Sequence, residues 1–209
     1  MPEQRLSIAL ATRNAGKAEE FASLFANMPL DFLTMNAAGY TSEIDETGTT
    51  FAENALLKAR ALYDSTGLPS LGDDSGLECD ALGGVPGIYS ARYAGNHCSD
   101  SDNAAKLLME MKSVTDEKRT ARFRCVLAYI DGRGEHFFEG VCEGRIARKR
   151  RGSSGFGYDP VFIPAKYSER CLTFAMLTPD EKNEISHRGA AAAKLKSYLE
   201  KVTFQGDDR

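Results

Sequence analysis

Two adjacent aspartates, Asp73 and Asp74, follow the apolar run Leu68-Pro69-Ser70-Leu71 and lie between Gly72 and the pair Ser75-Gly76. The setting reads as the end of a strand. Successive strand residues point to opposite faces, so only one of the two carboxylates turns inward easily. Burying the other without a partner costs on the order of several kcal/mol in ion desolvation. A metal ion or a strong hydrogen-bond donor beside the pair relieves that cost, so the segment points to chemistry rather than packing.

At 209 residues the chain is long enough for one large domain or two small lobes around a substantial core. Its net charge of -4 argues against a general nucleic-acid coat or an anionic membrane surface, so any polyanion must be met by a local group of donors. No run is long and apolar enough to span a bilayer. Met1-Pro2-Glu3-Gln4-Arg5 lacks the pattern of a secretory signal. Five cysteines are scattered without a Cys-x-x-Cys pair and three histidines do not cluster. That usage fits reduced thiols in a cytoplasmic protein and leaves oxygen-ligated hard metals as the metal chemistry to consider.

Ser7 to Ala11 reads as a buried strand, Lys17 to Asn27 as a helix, and Asp31 to Met35 as a second strand. Thr50-Phe51-Ala52-Glu53 has capping-box spacing ahead of an apolar stripe through Ala55, Leu56, Ala59, Leu62 and Tyr63. A helix from about Asp102 to Met111 precedes a long antiparallel hairpin, Ala121 to Ile130 and Glu135 to Ile146. Val161-Phe162-Ile163 is a short strand, and Arg188 to Leu199 is the last helix. The pattern predicts an α/β fold with a mixed sheet, bent into two lobes. Residues 1–204 are expected to form a single two-lobed domain, with 205–209 a disordered tail.

Four segments carry donor or acceptor patterns suited to chemistry. Thr12-Arg13-Asn14-Ala15-Gly16-Lys17 joins a strand to a helix, which presents free amides and the positive end of the helix dipole to a phosphate. On this motif alone, Asn14 as a plain helix cap with Lys17 in solvent is the slightly better account. Asp45 and Glu46 precede the long helix, and Glu46 with Asp74 could supply the one or two carboxylates that Mg²⁺ takes beside phosphate oxygens. An ionised aspartate there could also serve as general base toward water, whereas Asp45 and Glu46 could simply be a solvated loop.

In Phe156-Gly157-Tyr158-Asp159-Pro160, glycines on both sides of Phe156 let the backbone approach a flat base, on which Phe156 or Tyr158 could stack while Asp159 or backbone groups read its edge; an aromatic-anchored turn is the bland alternative. Lys182-Asn183-Glu184-Ile185-Ser186-His187-Arg188 supplies donors of three shapes. Its structural alternative is a helix start, with Ser186 as cap and His187 and Arg188 exposed. The run Arg148 to Arg151 reads as a solvated loop.

These motifs occur in one order: Thr12-x-Asn14-x-x-Lys17, Glu46-Thr47-Gly48, Phe51-x-Glu53-Asn54-Ala55 and Asp73-Asp74-Ser75-Gly76-Leu77. Gly83-Gly84-x-Pro86-Gly87-x-Tyr89-Ser90-Ala91-Arg92, Gly155-Phe156-Gly157-Tyr158-Asp159-Pro160 and Ser186-His187-Arg188-Gly189 follow. The set resembles the inosine triphosphate pyrophosphatase family, house-cleaning enzymes for non-standard purine nucleoside triphosphates, over about Leu6 to Leu199. The resemblance implies an elongated two-lobed fold, a central mixed β-sheet flanked by helices and an active-site cleft between the lobes. It implies Mg²⁺-dependent hydrolysis of ITP, dITP and XTP to the monophosphate and pyrophosphate. A cytoplasmic homodimer is implied, with a small-molecule nucleotide as partner and no nucleic acid or membrane.

Carried over by motif, Thr12, Arg13, Asn14, Ala15, Gly16 and Lys17 hold triphosphate. Asp74 is catalytic base and metal ligand, Glu46 the second metal ligand and Ser75 a substrate contact. Phe156, Gly157, Tyr158 and Asp159 line the base pocket with Lys182, His187 and Arg188. The chain departs from many relatives at Arg13, where they carry glycine; its side chain must point away from phosphate or add a contact. A 6-oxo purine offers an acceptor where adenine has an amino group, so donors such as His187 and Arg188 favour it. Two competing readings remain on sequence grounds. One is a pyrophosphatase for altered pyrimidines; the other is a nucleotide sensor without turnover.

Overall fold

The structure is a computed structural model that describes residues 5–204; the expected disorder of 205–209 lies outside the described residues. Its strands are β1 (Leu6–Ala11), β2 (Leu30–Thr34), β3 (Ser70–Cys79), β4 (Thr120–Asp131), β5 (Gly134–Ile146) and β6 (Phe162–Pro164). The α-helices are α1 (Ala15–Leu24), α2 (Phe51–Thr66), α3 (Asp100–Glu110), α4 (Pro179–Ile185) and α5 (His187–Leu199). The strands form one mixed sheet in the order β2-β1-β3-β4-β5-β6, parallel where β1 meets β2 and β3 and antiparallel where β5 meets β6. No helix among the described residues is long and apolar enough to cross a membrane.

The chain divides into two compact units. The first contains residues up to Asp74, Cys125–Gly140 and the chain from Arg188 onward. There β1 and the first half of β3 are covered on both faces. Phe21 of α1, Phe25 just past its end, and Ala191 and Leu195 of α5 pack with Ile8, Leu10 and Leu71. Leu62 of α2 packs with Ala9 and Ala11 from the other side. Alternation along β1 accounts for the division, because Ile8 and Leu10 point one way and Ala9 and Ala11 the other.

The second unit, Ser75–Arg124 and Val141–His187, has its own core around Leu77, Leu107, Phe123, Tyr158, Phe162 and Phe174.

Three local features differ from the sequence expectation. Strand β3 does not end at the aspartates but runs on to Cys79, so Asp73 and Asp74 sit in mid-strand. A helix not expected from the sequence, α4, starts at Pro179 behind a Thr178–Glu181 capping box, and Ser186 ends it. His187 and Arg188 are buried rather than exposed. The capping box at Thr50 and Glu53 forms as the spacing predicts, and α2 stops at Gly67, whose backbone is left-handed.

Gly72 fixes how closely α2 approaches β3. A Cβ at that position would stand 2.0 Å from the Ala55 carbonyl oxygen and 2.9 Å from the Ala59 nitrogen. Only glycine admits helix backbone this near the strand, and the approach places α2 beside Asp74.

Candidate functional site

The first unit carries the strand-one loop and both aspartates. Asn14 caps α1, its side-chain oxygen accepting from the Lys17 amide at 3.0 Å, while Thr12 Oγ1 accepts from the Asn14 amide at 3.1 Å. The cap and the outward-facing first turn at Ala15 and Gly16 leave helix-dipole amides at the surface, a setting suited to an anion. Lys17 is not a solvent lysine: its ammonium meets Asp73 Oδ1 at 2.5 Å. Arg13 turns to the loop ahead of α2, donating to the Thr41 and Ser42 carbonyls at 2.8 Å each and approaching Glu43. Its contacts are therefore with protein.

Both aspartates are buried, Asp73 at 1% exposure and Asp74 at 5%. Each has cations of its own. Asp73 lies on the α1 and α5 side, where Lys17 holds Oδ1 and Arg188 Nε donates to Oδ2 at 2.7 Å. Arg188 also pairs with Glu20 of α1. Burial pushes the Asp73 pKa up, but Arg188 and then Lys17 outweigh it and hold the carboxyl well below the ordinary value. The same pairing, led by Asp73, raises the Arg188 pKa against its burial, so the guanidinium stays charged.

Asp74 faces α2, where Lys58 Nζ contacts Oδ1 at 3.0 Å and Asn54 Nδ2 approaches Oδ2 at 3.4 Å. Burial raises its pKa more than Lys58 lowers it, so Asp74 holds a proton more readily than an ordinary aspartate. Two neighbours in sequence are thus driven in opposite directions.

Glu46 Oε1 also meets Lys58 Nζ, at 2.9 Å. Burial disfavours the Lys58 ammonium, but Asp74 and Glu46 outweigh it and raise its pKa. Two carboxylates thus reach one cationic atom, while Asp45 is exposed. Mg²⁺ takes oxygen ligands, one or two from protein carboxylates and the others from phosphate and water. Glu46 and Asp74 fit that share. Among the described residues no group of three or more His, Cys, Asp or Glu side chains surrounds a common point. A two-carboxylate contribution is therefore what this set offers.

The second unit holds the aromatic-glycine turn. Asp159 Oδ2 accepts from the Phe156 amide at 3.0 Å and from Lys182 Nζ at 2.6 Å. The same ammonium lies 4.8 Å from the Phe156 ring centroid. Gly155 has φ of +77°, and a Cβ there would meet Asp159 Oδ2 at 2.1 Å, so the turn closes only around glycine. The Gly157 amide donates to Asp100 at 2.7 Å. Tyr158 is buried in the core with its hydroxyl donating to the Ser90 carbonyl at 2.9 Å. Its ring anchors the turn, and Phe156 is the half-buried ring of the two. His187 is buried, and Ser75 is half-buried on β3.

The motifs therefore assemble in two sets. Thr12 to Lys17, Glu46, Asp73, Asp74 and Arg188 belong to the first unit; Ser75, Phe156 to Asp159, Lys182 and His187 belong to the second. The division runs through two motifs, between Asp74 and Ser75 and between His187 and Arg188. The resemblance places Arg188 with the base-lining residues, whereas its guanidinium here serves Asp73 and Glu20. Sequence reasoning missed Lys58 and Glu20, and gave no role to Asn54, although it lies in one of the motifs. Lys58 left a signal, a lysine on the apolar stripe with Ala55, Ala59 and Leu62; Glu20 left none, since it looks like an ordinary helix-surface carboxylate.

The sequence profile described as the Ham1 family matches residues 8–198. A dITP/XTP pyrophosphatase of Geobacillus kaustophilus is 50% identical over 196 residues, which cover 93% of this chain and 95% of that protein. A dITP/XTP pyrophosphatase of Bacillus subtilis is 48% identical over 192 residues, covering 91% and 96%. A solved HAM1 protein from Coxiella burnetii superimposes with a TM-score of 0.83 at 41% identity, covering 94% of this chain and all of that one. The Staphylococcus aureus Ham1 protein gives 0.82 at 38% identity, covering 93% and 98%.

Proposed function

The chain belongs to the Ham1 family, and on that premise we propose that it is a dITP/XTP pyrophosphatase that also accepts ITP. It requires Mg²⁺, releases the nucleoside monophosphate and pyrophosphate, and works as a homodimer in the cytoplasm. The observation that carries the reading is the aspartate pair: one carboxylate is clamped as an anion by Lys17 and Arg188, while its neighbour keeps a raised pKa beside Glu46.

In this account the α1 amides and Lys17 bind the triphosphate, with Asp73, itself held by Arg188, keeping the Lys17 ammonium in place. Asp74 accepts a proton from water as the water oxygen bonds to the α-phosphorus. The bond from that phosphorus to the bridging oxygen breaks, and pyrophosphate leaves with the oxygen. A carboxylate whose pKa lies nearer neutrality is the better base for that transfer. A bound Mg²⁺, held by Asp74 and Glu46, would neutralise phosphate charge. The second set reads the base: Phe156 supplies an aromatic face, and His187 donates to the 6-oxo group of hypoxanthine or xanthine. Adenine presents an amino donor there and leaves the imidazole N–H unmatched, the kind of mismatch that discriminates strongly.

The test is a panel of nucleoside triphosphates with Mg²⁺, following monophosphate and pyrophosphate. dITP and XTP should turn over well ahead of dATP and dTTP. Preference for dTTP or an altered pyrimidine would overturn the purine assignment, and binding without product would make the protein a sensor.

A further inference from the structure

His187 rests on a ring that none of the motifs includes. Its imidazole lies nearly parallel to the phenyl ring of Phe123 on β4, with centroids 4.7 Å apart and 10° between the planes. Both side chains are buried. Rings this parallel at this separation form an offset stack, which fixes orientation as well as distance. Phe123 is itself held: Phe162 meets it edge-on at 4.7 Å, and Phe174 lies within 19° of parallel at 5.8 Å. Phe174 carries the Lys182 ammonium 5.6 Å from its centroid. One run of rings thereby supports both His187 and Lys182.

We infer that Phe123 is a specificity-positioning residue, setting through its stack the plane in which His187 presents an N–H to the purine base. The inference rests on the base-reading role given to His187 under the proposed function. A ring N–H donates well only near the line of its bond, and the interaction weakens steeply as the angle falls. An imidazole free to tilt therefore loses contact with a 6-oxo acceptor. It loses nothing against a 6-amino group, which offers it no acceptor. A phenyl ring that merely filled volume would affect both substrates alike.

The test compares Phe123→Leu, which removes the ring, with Phe123→Tyr, which keeps it, on kcat/KM for dITP and for dATP. His97, His136 and His187 are the chain's three histidines, so the His187 ring C–H proton signal can be assigned by substituting the other two. Phe123→Leu should cut the dITP-to-dATP ratio about threefold to tenfold, the range expected from one aromatic pair. It should also shift the His187 signal downfield as the ring current is lost, and Phe123→Tyr should preserve both. Equal losses on dITP and dATP, or an unmoved His187 signal, would overturn the inference. Phe123→Met gives the same reading if the leucine variant fails to fold. A parent protein with no preference for dITP over dATP refutes the pyrophosphatase reading, and this inference with it. A moved signal with an unchanged ratio, in a parent that does prefer dITP, refutes this inference alone.

Discussion

Asp73 and Asp74 share a peptide bond yet lie in opposed electrostatic settings, because β3 is covered on both faces and alternation sends one carboxylate to each. Lys17 and Arg188 meet the first, and Lys58 meets the second. Burying both is possible because each has a charged partner, without which the desolvation cost would stand.

The two aspartates should fail differently when neutralised. Asp74→Asn is expected to cut turnover by about a hundredfold to ten-thousandfold, the usual contribution of a positioned general base, with a native far-UV spectrum. Asp73→Asn leaves Arg188 and Lys17 without their shared carboxylate and should cost about 3–5 kcal/mol in urea unfolding. Near-parental activity in Asp74→Asn would remove that residue from the chemistry.

The pH dependence follows from the signs of the shifts. The Asp73 pKa is lowered on folding, so its stabilising contribution is present above the unfolded value of 3.8 and is lost as pH falls through the lower folded value. Asp74 is raised: its ionisation opposes folding, so stability declines as pH rises from 3.8 through the higher folded value. With Asp74 as the proposed base, turnover needs its ionised form, so the acid limb of kcat/KM should lie above the range of an ordinary aspartate. Lys58→Met removes a charge that lowers the Asp74 pKa and should move that limb to higher pH. An acid limb that stays put in the variant would show that Asp74 is not the titrating group.

Metal dependence should track Glu46. Chelation is expected to abolish turnover and added Mg²⁺ to restore it, while Ca²⁺, with its looser and longer coordination, should support little. Glu46→Gln should raise the Mg²⁺ concentration for half-maximal rate by about tenfold or more. Asp45→Asn, altering an exposed side chain, should leave it unchanged; the reverse result would move the ligand one residue along the chain.

Arg188 separates the two halves of the account. With its guanidinium on Asp73 and Glu20, Arg188→Lys should reduce kcat/KM for dITP and dATP by similar factors, since lysine cannot reproduce the fork. A loss concentrated on dITP would place the guanidinium on the base instead.

Much of the fold was legible because its signals are local. The Thr50–Glu53 capping box, the Asp131-Gly132 turn between β4 and β5 and the apolar run of β1 each depend on neighbours within a few residues. The continuation of β3 past the aspartates was not, since it depends on Lys17, Lys58 and Arg188 arriving from three separate helices. Arg188 shows the same limit from the other side. A short polar stretch at a helix start looks exposed until Asp73, 115 residues earlier, is seen to need a cation. The α4 helix hid because its seven residues are too short to show an apolar period, although Thr178-Pro179-Asp180-Glu181 carries both the cap and the N1 proline.

Hydrolysis of dITP in ¹⁸O-labelled water with Mg²⁺ tests the central claim most directly. Attack at the α-phosphorus, with Asp74 taking the proton, puts one labelled oxygen into dIMP and none into pyrophosphate. Label in the pyrophosphate, or release of inorganic phosphate in its place, would contradict the account.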